Sequence, residues 1–91
     1  MIIGEVVGSL WSTRKDERLN GLKFLVIKPK YSEGLASSLV AADSANAGVG
    51  DTVLVTKGSS AKTAFGIERI PIDAVIVGVI DSIDIIDEYI R

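Results

Sequence analysis

The stretch that most restricts what this chain can become runs over residues 48–65, GVGDTVLVTKGSSAKTAF. It opens with Gly48-Val49-Gly50-Asp51, a glycine turn. Residues 52–56 follow as a strand in which Val53 and Val55 share one face and Thr52, Leu54 and Thr56 the other. Lys57-Gly58 breaks that strand. Residues 59–65 then read as a helix of at most two turns, with Ser59 or Ser60 as N-cap and Gly66 as its stop. A long helix has no place in such a segment; a compact β domain with tight turns does.

The same stretch imitates a phosphate-binding loop. Such a loop needs G-x-x-x-x-G-K-[ST] between a strand and a helix, so that successive amides wrap the phosphate. Lys62-Thr63 is present, but the second glycine is missing and Gly58 stands only four residues before Lys62. A turn followed by a helix cap accounts for these residues more simply.

The flanking sequence extends the β pattern. Residues 2–11 alternate loosely, with Ile2, Val6 and Leu10 on one face and Ile3, Glu5, Val7 and Trp11 on the other. Gly4 and Gly8 fall on a shared face, the mark of a strand that coils around a small barrel. Residues 12–21 form a polar, charged hairpin loop ending in the turn signal Asn20-Gly21. Second and third strands are expected over 22–27 and 38–43, with Pro29 closing the second. The fifth, over 75–81, is apolar on both faces, Val75, Val77 and Val79 against Ala74, Ile76, Gly78 and Ile80. Both faces therefore need burial, one in the core and one under the short helix or a neighbouring subunit. The sum is mainly β: a small, partly open five-stranded barrel with one short helix between strands four and five.

Ninety-one residues make a single domain, the barrel over 1–81 and a C-terminal tail over 82–91. In that tail Ile83, Ile86 and Ile90 share a helical stripe while Ile83 and Ile85 share a strand face, so both forms stay open; Asp81, Asp84, Asp87 and Glu88 are the solvated side of an amphipathic element rather than a metal cluster. With 47% apolar residues in so short a chain, either subunit contacts or a tightly packed barrel is expected.

The chemistry of the chain is sparse. It has no cysteine and no histidine, which removes disulfides, thiolate chemistry, and the commonest general base and transition-metal ligand. No carboxylate spacing singles out an acid–base pair, and a Ser59–Lys62 pair on a short surface helix lacks anything to desolvate the lysine. The chain is read as a non-enzyme without cofactor. A net charge of −2 and an aromatic content of 5% argue against a nucleic-acid binder, and Trp11, Phe24 and Phe65 read as core or interface. No apolar run reaches the ~20 residues of a membrane span. Met1-Ile2-Ile3-Gly4-Glu5 lacks the basic run of a secretory leader, so a cytoplasmic protein is expected.

Taken together, these residues resemble the bacterial microcompartment vertex proteins, the family of carboxysome and ethanolamine-utilisation pentameric shell proteins. Met1-Ile2-Ile3-Gly4-Glu5-Val6-Val7-Gly8 with Leu10-Trp11-Ser12-Thr13 and Lys15 is similar to the family's opening. Leu19-Asn20-Gly21-Leu22-Lys23 is similar to its second signature. Val40-Ala41-Ala42-Asp43, Ala47-Gly48-Val49-Gly50-Asp51 and Val53-Leu54-Val55 resemble its third. Gly58-Ser59-Ser60-Ala61-Lys62, then Pro71-Ile72-Asp73-Ala74 and Val77-Gly78-Val79-Ile80-Asp81, complete the match. The tail carries no motif of the family.

The resemblance implies an OB-like barrel assembled as a cyclic homopentamer. Such pentamers cap the fivefold vertices of an icosahedral shell whose facets are hexameric shell proteins and whose interior holds enzymes. On that reading Gly58, Ser59, Ser60, Ala61 and Lys62 belong near the subunit interface or central opening, and Gly48, Val49, Gly50 and Asp51 form a shell-contact turn. Residues 82–91 are then candidates for an interface as well. The competing reading is an OB-like module that binds single-stranded nucleic acid or a small anion; a nucleotide-binding enzyme using Lys62 stands behind both.

Overall fold

The structure, a computed structural model, describes residues 1–10, 17–19, 21–30, 37–58, 61 and 72–83. Five strands follow one another: β1 at Ile2–Leu10, β2 at Phe24–Pro29, β3 at Leu39–Asp43, β4 at Thr52–Lys57 and β5 at Ala74–Val79. A 3-10 turn at Glu17–Leu19 lies between β1 and β2. Leu22 N–H closes on the Leu19 carbonyl at 3.2 Å, and Gly21 takes φ 83°, the left-handed backbone that the Asn20-Gly21 signal anticipates.

The strands form a closed barrel in the order β1-β2-β3-β5-β4. All neighbours are antiparallel except β3 and β5, whose parallel contact is confined to Ala42↔Val75 and Asp43↔Ile76. A partly open barrel was the expectation from sequence. Closure comes from β1 pairing with β4, Ile2↔Val55 through Glu5↔Thr52, which sequence alternation does not encode. It removes the free strand edges that would otherwise template aggregation.

The interior is filled by Val6, Leu25, Ile27, Ala41, Ala47, Val53, Val55, Ala74 and Ile76. Small and β-branched residues suit so narrow a space, since they fill it in few rotamers. Gly4 is buried among them and pairs with Pro29 and Val53. A Cβ there would land on Ile27 Cγ2 and lie 3.1 Å from the Lys28 carbonyl oxygen. The absent side chain is what lets β1 and β2 wind this tightly.

Two register irregularities revise the facial assignments made from alternation. Val6 opposes Ile27 and Gly8 opposes Val26, so Val7 is an extra residue on β1. A bulge reverses the phase of everything after it. Leu10 therefore stands beside Phe24, not on the face of Val6, and Gly4 and Gly8 lie on opposite faces. On β5 the same happens at Val77: Ile76 opposes Val55, and Gly78 opposes Leu54. Val75, Val77 and Val79 thus do not share a face.

β5 is buried over its first half only. Val75 is buried with Ala42, Ala61 and Ile72, and Leu19, Leu22 and Phe24 pack against that cluster. Val77 and Val79 are 37% and 39% exposed. The short helix expected over 59–65 lies outside the described residues except for Ala61, which is fully buried.

Candidate functional site

The turn at residues 48–51 is built by reciprocal hydrogen bonds. Asp51 N–H donates to the Gly48 carbonyl at 3.0 Å, and Gly48 N–H donates back to Asp51 Oδ2 at 2.9 Å. Gly50, at the third position of the turn, has φ 96°, as a type II turn requires. Gly50 N–H donates to the Val6 carbonyl and Val6 N–H to the Asp51 carbonyl, both at 2.9 Å. The turn is therefore stitched to β1 at the bulge. Val49 at its tip is 67% exposed, and Val7 in the bulge beside it is 46% exposed.

The approach to that turn is equally ordered. Asp43, its side chain 2% exposed, accepts from Ala45 N–H through Oδ1 and from Ala47 N–H through Oδ2, both at 2.9 Å. Lys23 Nζ sits 3.4 Å from Asp43 Oδ2 and also donates to the Ala47 carbonyl. Ser44 donates to the Ile76 carbonyl from its hydroxyl at 2.7 Å and from its amide at 3.2 Å. Asn46 takes the left-handed conformation, φ 58°, tolerated by a short polar side chain. By sequence alone residues 43–48 are a plain turn, and the Lys23–Asp43 pair is not apparent. The run Asp-Ser-Ala-Asn-Ala does carry the signal for Asp43, since Asp habitually caps amides a few residues on; nothing in it points to Lys23, twenty positions away.

Of the second candidate group, Gly58 is exposed and Ala61 is fully buried. Gly58 has φ 69° and donates its N–H to the Asp73 carbonyl at 2.8 Å; Ala61 N–H donates to the Gly58 carbonyl at 3.1 Å. Ala61 packs inside its own subunit against the second cluster. Ser59, Ser60 and Lys62 lie outside the described residues. A phosphate cradle needs free amides pointing outward, and the amides of Gly58 and Ala61 are engaged by carbonyls of the chain itself.

Elsewhere a cavity of about 230 Å³ is lined by Lys30, Thr52, Ile80, Asp81, Ser82 and Ile83. It joins one cation and one carboxylate with the hydroxyls of Thr52 and Ser82. Among the described residues no group of three or more carboxylates is placed to hold a metal. No helix among them is long and apolar enough to cross a membrane. Among the described residues Val7, Leu10, Val40, Val49, Val77, Val79 and Ile83 are each more than a third exposed. Gly8, Val26 and Val40 line up across β1, β2 and β3 on the outside of the barrel. This is the surface of a small barrel suited to contacts with other proteins.

Comparison with known proteins gives that class its place. Residues 1–81 match the family described as ethanolamine utilisation protein EutN/carboxysome, and the chain belongs to that family of microcompartment shell vertex proteins. It is 38% identical over 90 residues to the shell vertex protein GrpN of Rhodospirillum rubrum, covering 96% of this chain and all of the relative. It is 37% identical over 87 residues to the carboxysome shell vertex protein CcmL of Gloeobacter violaceus, covering 93% of this chain and 87% of that one. The solved structure of that CcmL superposes with a TM-score of 0.82 over 93% of this chain and 90% of the other. The solved pentameric GrpN shell protein superposes with a TM-score of 0.81 over 94% of this chain and all of that one, at 37% identity.

Proposed function

We propose that this chain is a structural subunit that forms a cyclic homopentamer and caps the fivefold vertices of a bacterial microcompartment shell in the cytoplasm, among hexameric shell proteins. The observation that carries the reading is its full-length similarity to vertex proteins, including one solved as a pentamer. The physics agrees with it. Aliphatic residues left exposed on the subunit, Val40 and Leu10 on the barrel wall and Val77 and Val79 on β5, are those a ring would cover. A heterologous interface that closes on itself buries such surface without leaving a sticky end.

Within that assembly, the turn at Gly48, Val49, Gly50 and Asp51 is the shell contact. Its rigidity and its exposed valine support the assignment: a preordered contact loses little entropy on docking. Gly58, Ser59, Ser60 and Lys62 belong near the subunit interface or central opening, with Ala61 anchored in the barrel between them, and the tail over 82–91 adds type-specific contacts. The barrel itself is the domain of residues 1–81.

Native mass spectrometry of the purified protein tests the proposal. A species of five times the 9.6 kDa subunit mass is expected at micromolar concentration; a monomer would refute it. A nucleic-acid-binding module would instead show salt-sensitive binding to single strands. Among the described residues the exposed wall positions are aliphatic, not the aromatics on a basic face that such binding uses.

A further inference from the structure

The loop that leads into the contact turn is held by a charge that its own sequence does not contain. The peptide unit joining Ala47 to Gly48 is gripped at both ends: its carbonyl accepts from Lys23 Nζ, and its N–H donates to Asp51 Oδ2 at 2.9 Å. The same ammonium lies 3.4 Å from Asp43 Oδ2, which also takes the Ala47 N–H. Lys23 is placed for this by the backbone, since Asp43 N–H donates to the Lys23 carbonyl at 2.8 Å. An exposed ion pair would contribute little. Here one partner is almost wholly buried, and two backbone amides leave lone pairs of the carboxylate to be satisfied.

We propose that Lys23 is the positioning residue of the contact loop: its ammonium clamps the Asp43 carboxylate to the Ala47 carbonyl, so that residues 43–51 adopt the single conformation that presents Val49. This rests on the reading of residues 48–51 as a shell contact. Without Lys23, the 47–48 peptide is free to rotate, and Gly48 N–H leaves Asp51. Ser44 and the Val6 pairing still anchor the two ends of the loop, so the loss is local.

Amide hydrogen exchange on the intact assembled protein tests it. Lys23→Met lowers protection of the Ala45, Ala47 and Gly48 amides about tenfold and leaves the Ile27 and Val55 amides unchanged. Lys23→Arg, which keeps the charge and reach, restores protection to near the original level. Asp43→Asn gives the same local loss by removing the other half of the clamp. Unchanged loop protection in Lys23→Met, or an equal loss in loop and strand amides, overturns the proposal. The contact reading fails separately: Val49→Asp incorporating into shells at the original level in cells that make the whole shell would remove it. The exchange measurement does not depend on incorporation.

Discussion

Gly4 provides a quantitative test of how the barrel closes. Replacing it with alanine puts a methyl group onto Ile27 Cγ2 and within 3.1 Å of the Lys28 carbonyl oxygen. Both neighbours belong to β2: Ile27 is fully buried and has no open space to move into, and the Lys28 carbonyl is part of the strand backbone. Overpacking a closed core typically costs about 1–3 kcal/mol. Losing a glycine from the unfolded chain returns about 0.4–1 kcal/mol. The net expectation for Gly4→Ala is a loss of about 1–2 kcal/mol. In a domain of this size each kcal/mol lowers the midpoint by about 4–8 °C, so calorimetry at a fixed subunit concentration resolves the change. The decisive experiment adds Ile27→Ala, which alone costs about 2–5 kcal/mol by opening a cavity. If Gly4 is small because Ile27 occupies its space, the new methyl partly fills that cavity. The double variant is then more stable than the sum of the two single effects by about 1 kcal/mol or more. Strict additivity would refute the argument that Ile27 dictates glycine at this position.

Other outcomes follow from the turns. Gly50→Ala forces a side chain into φ 96° and lowers stability by about 1–3 kcal/mol, seen as a lower denaturant midpoint with an unchanged slope. Asp51→Ala removes the acceptor for Gly48 N–H and costs about 0.5–1.5 kcal/mol, with faster Gly48 amide exchange in the free protein as the check. Adding a nucleoside triphosphate leaves the thermal midpoint unchanged, because the Gly58 and Ala61 amides are already bonded within the chain. A rise of several degrees would restore the phosphate-loop reading.

Much of the barrel is legible in the primary structure. Val53 and Val55 are inward on β4 because strict alternation reports a half-buried strand, and both are fully buried. The turns at Gly21 and Gly50 announce themselves because only glycine takes a positive φ without strain there. The family is written in short motifs along nearly the whole chain. Alternation fails at Val7 and Val77, since a bulge is a property of two strands and their relative twist; a single strand carries no sign of it. The stretch over 48–65 divides in the same way. Its turn and strand are local, set by glycine geometry and side-chain period. That the Gly50 and Gly58 amides reach Val6 and Asp73, that Ala61 packs with Val75, and that Lys23 pairs with Asp43 depend on residues far apart in sequence. Sequence by itself therefore determined the class of fold, its turns and its kinship, because these are stored in local pattern. Only tertiary structure decided how the barrel closes, which apolar residues stay exposed and what holds the contact loop, because those outcomes arise when distant strands meet.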